Sequence, residues 1–136
     1  MLEILYQAHS GWRYLVILIA VVTFVKLLVG LVSNSAWGQL DQRLGAALPI
    51  VMDIQVLLGV VLWVARSQWL INSPARTWEH PVTMILSVAV AHITWSRVKK
   101  ANSDAARFRI ATIGYAVAGL LLAVGVMRIT GMMGPV

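Results

Sequence analysis

The sequence is poor in charge and has no cysteine, and both absences narrow the classes of protein it can belong to. Only 12% of its 136 residues are Asp, Glu, Lys or Arg, whereas a soluble domain usually carries about 25% charged residues. Because 60% of the residues are hydrophobic, we expect most of the surface to face lipid. The lack of cysteine excludes disulfides, thiolate catalysis, iron–sulfur clusters and cysteine-ligated haem.

Acidic residues are scarcer than basic residues in this sequence. Five Asp and Glu stand against eleven Lys and Arg, which gives a formal net charge of +6. The basic residues lie at the ends of apolar runs and in one loop, and they form no stripe with exposed aromatic residues that could bind nucleic acid. Membrane proteins use such a distribution to set their orientation. We therefore expect a lipid bilayer, and no nucleic acid, as a partner.

Four apolar runs predict four transmembrane helices. Each run is close to the ~20 residues that cross a bilayer core as a helix, and the connections leave no room for a separate soluble domain. The expected fold is all-α, a single integral membrane four-helix bundle over residues 1–136. Ser73-Pro74 is a good helix start, so the third helix is expected to begin before Pro81. The predicted spans are 12–32, 44–64, 81–98 and 108–127.

The distribution of Lys and Arg predicts the orientation of the bundle. Six basic residues lie on the side of the first and third connections and four on the other side, and five of the six fall within 97–109. Since cytoplasmic loops are enriched in positive residues, we expect this loop in the cytoplasm and both termini outside.

Two of the three histidines are placed for haem ligation. His9 precedes the first span and His80 opens the third, and because these helices run in the same direction we expect both imidazoles near the outer surface at similar depth. Bis-histidine ligation of haem b in a bundle needs this arrangement. Arg13 and Arg76 each lie four residues from one histidine, so at helical spacing each shares its face and can pair with haem propionates. Structural histidines and ordinary span-end arginines are the alternative.

A second polar cluster is predicted deeper in the membrane. Residue counts place Asp53 and His92 roughly 18–20 Å below the outer boundary, with Gln55 nearby and Lys26 slightly deeper. Because an unpaired aspartate in hydrocarbon is costly, we expect Asp53 to face the bundle interior and bond His92, and Lys26 to reach the cytoplasmic surface. The pair fits a proton relay, a quinone-binding pair or support for an inner cofactor, and equally a polar pair that only fixes helix register.

Several of these residues give the chain a resemblance to small bacterial four-helix membrane proteins labelled cytochrome b-like. The resemblance implies a b-type haem with His9 and His80 as ligands, and a location in the bacterial inner membrane. Asp53 departs from the pattern, because similar proteins often have histidine there, and His92 is the candidate local substitute. The matching positions are His9-Ser10-x-x-Arg13-Tyr14, Gln55-x-x-x-Gly59, Glu79-His80 with Met84, and residues 97–104.

Three functions remain open from the sequence. The first is electron transfer through haem b to or from a quinol or a larger redox complex. The second is a cofactor-free accessory or assembly subunit of a respiratory or photosynthetic membrane complex. The third is a small proton-coupled transporter that uses Asp53 as its intramembrane acid. The first two describe an electron carrier or a subunit rather than a stand-alone enzyme.

Overall fold

The computed structural model describes all 136 residues as four long helices with short connections and no strands. Each predicted span lies within one helix, so the all-α four-helix prediction is confirmed. All four helices are long and apolar enough to cross a membrane, which makes this a multi-pass membrane protein. The helices are α1 (Leu2–Val32), α2 (Gln39–Ala65), α3 (His80–Lys100) and α4 (Asp104–Ile129). A 3-10 turn (Gln68–Leu70) and a π-helical turn (Ala75–Glu79) precede α3.

The helices form a bundle of two closely packed pairs. α1 packs most extensively on α2, and α3 on α4, while α1 also contacts α4 and α2 contacts α3. α1 and α3 therefore face each other across the bundle, as short connections between antiparallel neighbours require. Both chain termini and the α2–α3 connection lie at one end, called here the terminal end. The other two connections form the opposite, loop end.

The core consists of aliphatic, aromatic and small residues that bring the helices close together. A Cβ at Gly114 would lie 2.0 Å from Oγ1 of Thr94, so α3 and α4 approach as closely as they do only because this residue is glycine. Phe108 packs in the same way against Gly30 of α1. The largest fully buried side chains are Phe108, Leu27, Leu48, Val16, Val98, Thr23, Pro49 and Ser87.

A partly buried ion pair closes the loop end. Nζ of Lys26 lies 2.5 Å from Oδ1 of Asp41, which is almost completely buried at the start of α2. The other carboxylate oxygen accepts the N–H of Gly38 at 2.9 Å. Lys26 lies six residues before the end of α1. Its side chain reaches toward the loop end, as expected from the sequence, but its ammonium binds a carboxylate there instead of reaching water alone.

Pro49 lies inside α2 and leaves one main-chain carbonyl without its helical donor. Because proline has no N–H, the carbonyl of Gly45, four residues earlier, receives no bond from position 49. The buried hydroxyl of Tyr115 donates to this oxygen at 2.6 Å. A side chain of α4 thus satisfies the backbone of α2 within the membrane, where water is absent.

Candidate functional site

His9 of α1 and His80 of α3 come together at the terminal end, across the diagonal of the bundle. The centres of their imidazole rings are 6.3 Å apart, and the ring planes are almost perpendicular, at 85°. Both side chains are partly buried. The two histidines that the sequence placed at one level are therefore neighbours in space.

Residues of α2 hold the His9 ring. Nδ1 of His9 lies 3.2 Å from the main-chain oxygen of Gln55, and the Gln55 amide donates to the main-chain oxygen of His9 at 3.1 Å. The same amide nitrogen is 3.3 Å from Nδ1 and 3.5 Å from Nε2 of the ring. Donation from Nδ1 to the Gln55 carbonyl leaves the ring lone pair on Nε2. Gly59, one turn further along α2, leaves space for the ring, because a Cβ there would lie 2.9 Å from Cε1 of His9.

α4 holds the His80 ring in the same way. Nδ1 of His80 lies 2.9 Å from the main-chain oxygen of Gly125. A neutral imidazole that donates through Nδ1 again has its lone pair on Nε2. Both imidazoles of the pair are thus oriented by a carbonyl oxygen of a neighbouring helix, and in both the nitrogen available as a ligand is Nε2.

A π-helical turn positions His80 at the start of α3. The N–H of His80 bonds the carbonyl of Ala75, five residues earlier, and Pro81 has no N–H to offer the carbonyl of Thr77. The indole N–H of Trp63 donates to that Thr77 oxygen at 3.0 Å. Ser73 caps the turn, since its Oγ accepts the N–H of Arg76 at 3.4 Å. The helix therefore begins before Pro81, as predicted, and π-turns of this kind are frequent at functional sites.

The two arginines of the predicted site differ in their surroundings. Arg13 is partly buried, its charge acts on both imidazole rings, and its guanidinium lies 5.0 Å from the ring centre of Tyr14. Arg76 is exposed, and no hydrogen bond or ion pair holds its guanidinium. Arg13 alone therefore belongs to the immediate environment of the histidine pair, and Arg76 remains free to move at the surface.

An apolar crevice opens between α1 and α4 on the membrane side of the histidine pair. It has a volume of about 540 Å³, and neither His9 nor His80 lines it. Gly119 lies in its wall with no atom close to the position of a Cβ. The crevice is lined by Ile17, Ala20, Val21, Phe24, Tyr115, Ala116, Gly119, Leu120, Leu122, Ala123, Val126 and Met127.

Asp53 and His92 form the expected hydrogen bond, but the bond lies on the outer face of α2 and α3 and not in the bundle interior. Oδ1 of Asp53 and Nε2 of His92 are 2.8 Å apart, yet 47% of the Asp53 side chain and 51% of the His92 side chain are exposed. The prediction that Asp53 faces the bundle interior is therefore wrong. Met52 and Gln55 of α2 and Ala91 of α3 occupy the inward positions, and one residue along a helix turns the side chain by about 100°.

The two histidines at the terminal end limit the kinds of metal centre that the site could hold. No group of three or more His, Asp or Glu side chains converges anywhere in the chain, so a bare ion such as zinc, which takes three or four protein ligands, finds no complete site. A metal already held by a planar macrocycle needs only two imidazole nitrogens from a protein. The site offers Nε2 of His80 and Nε2 of His9, and the second of these lies 3.5 Å from the Gln55 amide nitrogen.

The chain matches no known protein-family profile, no curated protein and no solved structure.

Three residues that hold the histidine pair were given no role in the site from the sequence, namely Gln55, Gly59 and Gly125. A signal for two of them was present, because Gln55 and Gly59 are one helical turn apart and so share the face of α2 that meets His9.

Proposed function

We propose that the protein binds haem b between Nε2 of His9 and Nε2 of His80 and acts as a membrane electron carrier. The observation that carries the proposal is the 6.3 Å separation of the two ring centres. An imidazole nitrogen binds a metal at about 2.0 Å, and the ring centre lies about 1.1 Å behind it, so two imidazoles on opposite sides of one metal have ring centres roughly 6 Å apart. The separation of the ring centres therefore supports a shared metal, and the proposal requires that the two Nε2 atoms face each other across it.

The surrounding residues fit such a group chemically. The carbonyls of Gln55 and Gly125 fix both rings through Nδ1, and bonds of this kind raise the basicity of a ligating imidazole. Arg13 carries a positive charge near both rings, where the membrane boundary would place the haem propionates. When bound, a bis-histidine haem b accepts and releases one electron.

The reaction partner in this proposal is a quinol or a larger redox complex, because both meet a carrier at the membrane. The proposed location is the inner (plasma) membrane of a bacterium, with the terminal end outside. The orientation is supported by the basic residues of the loop end, where Arg97, Lys99 and Lys100 end α3 and Arg107 and Arg109 lie near the start of α4.

The three histidines allow a matched test of haem binding. Protein purified from haem-replete cells is expected to give the dithionite-reduced spectrum of a b-type haem. His9→Ala and His80→Ala are each expected to abolish it, because each removes one of the two residues that would hold the haem. His92→Ala is the control, since this residue lies at the middle of the bundle and away from the pair. A colourless wild-type protein, or three variants that retain the spectrum equally, would exclude the proposed site.

A cofactor-free subunit is the second candidate, and the same bonds favour it. His9 ties α1 to α2 through Gln55, and His80 ties α3 to α4 through Gly125, without any bound group. In that case the histidines act as interhelical ties of an accessory or assembly subunit. Colourless protein that copurifies with a large complex, in amounts unaffected by His9→Ala and His80→Ala, would favour this function over electron transfer.

A further inference from the structure

The Asp53–His92 pair lies on the outer face of α2 and α3, in the middle of the bundle. Asp53 is 12 residues before the end of α2 at Ala65, about 18 Å along the helix axis. About half of each side chain is exposed. Neither Oδ2 of Asp53 nor Nδ1 of His92 has a hydrogen-bond partner in the chain. Unpaired polar atoms that face hydrocarbon are costly, so a surface of this kind calls for a covering partner.

The free atoms of the pair are complementary to a second copy of themselves. A net-neutral pair has either an ionised carboxylate beside an imidazolium or a carboxylic acid beside a neutral imidazole. In the ionised form, and in the neutral form whose acid proton bonds Nε2, Nδ1 of His92 is a donor and Oδ2 of Asp53 is an acceptor. In the neutral form whose acid proton lies on Oδ2, these two roles are exchanged. A carboxylate beside a neutral imidazole leaves a net negative charge in the hydrocarbon and is disfavoured. The exposed pair therefore always offers one donor and one acceptor.

We infer that the α2/α3 face is the interface of a two-fold dimer in which Nδ1 of each His92 forms a hydrogen bond with Oδ2 of Asp53 of a second copy of this chain. Because Asp53 and His92 bond to each other, they lie at the same depth. A two-fold axis along the membrane normal brings the second copy's pair to that depth as well, so both cross-bonds form together in one closed ring of four side chains. Such self-complementarity is the requirement of an isologous interface.

The residues around the pair are suited to helix packing. Exposed apolar side chains flank it one or two turns away on both helices, and Ala89, three residues before His92, is small enough to let two backbones approach. No charged residue interrupts this part of the face. The flanking residues are Ile50, Leu57, Ile85 and Ala89.

The absence of natural cysteine makes disulfide cross-linking a clean test. A single cysteine at Ala89→Cys, on the proposed interface, is expected to cross-link rapidly in liposomes under mild oxidation. Val117→Cys is the matched control: it lies on the exposed surface of α4 at similar depth, since Ser87 of α3 bonds the carbonyl of Ala118. We expect several-fold more cross-linked dimer for Ala89→Cys than for Val117→Cys.

The polar pair itself is tested in the Ala89→Cys background. Asp53→Leu together with His92→Leu is expected to weaken dimerisation about tenfold, because two interhelical hydrogen bonds are lost. Leu57→Ile on the same face is expected to change little. Circular dichroism reports whether each variant is folded.

Three results would overturn the inference. They are equal cross-linking at Ala89→Cys and Val117→Cys, dimerisation that is insensitive to the double leucine variant, and a monomer whose α2/α3 face is covered by a quinone or another subunit. Haem binding enters none of these measurements.

Discussion

Each imidazole of the His9–His80 pair depends on one main-chain carbonyl and on the space left by its neighbours. The carbonyl of Gln55 holds His9 and the carbonyl of Gly125 holds His80 through Nδ1, which places the lone pair of each neutral ring on Nε2. These contacts are made by backbone atoms, so substitution of a single side chain does not remove them. A side chain added at Gly59, by contrast, would displace the His9 ring.

Gly59→Ala is expected to lower haem affinity about tenfold, the effect typical of a change behind a metal ligand. The added Cβ would lie 2.9 Å from Cε1 of His9, so the ring must move. Haem content per chain after purification, followed by haemin titration, measures the effect. Gly119→Ala is the control, because its Cβ would meet no atom within 4 Å. Equal haem affinities in the two variants would mean that haem binding does not depend on the position of the His9 ring.

Two prolines inside the helices are matched by donors on neighbouring elements. Pro49 leaves the carbonyl of Gly45 to the hydroxyl of Tyr115, and Pro81 leaves the carbonyl of Thr77 to the indole of Trp63. Within a membrane every main-chain oxygen needs such a donor. These two side-chain hydrogen bonds therefore replace main-chain hydrogen bonds that the helices lack at the prolines.

Tyr115→Phe is expected to destabilise the bundle by about 1–3 kcal/mol, because it leaves a buried carbonyl unsatisfied. The cost should shrink when Pro49→Ala is added, since alanine restores the N–H that Gly45 lacks. Unfolding free energies in mixed micelles for the two single variants and the double variant form the cycle. A cost of Tyr115→Phe that does not depend on residue 49 would contradict the proposed link between the proline and the tyrosine.

Some features of these elements follow from the sequence and others do not. Runs of apolar residues are long enough to define four helices, and helix direction alone puts His9 and His80 at one level. The outward direction of Asp53 and His92 could not be predicted, because transmembrane helices are apolar on the lipid side as well as the core side and carry no periodic signal that separates the two. The tie between Lys26 and Asp41 depends on the fold of the α1–α2 connection, which periodicity does not describe.

The whole molecule consists of two tight helix pairs, α1/α2 and α3/α4, joined by a looser interface. His9 belongs to one pair and His80 to the other, and each is held by its own pair. A group bound between them therefore bridges the two halves of the bundle. The Asp53–His92 bond joins the same halves further along the bundle, on its outer face.

The most direct test of this account is the electron paramagnetic resonance spectrum of the oxidised, haem-loaded protein, because it reports both axial ligands of one iron. Two imidazoles crossed at 85° should give a low-spin ferric signal of strong anisotropy that disappears in His80→Ala. A high-spin ferric signal, or a low-spin signal that survives in His80→Ala, would show that these two residues do not share an iron.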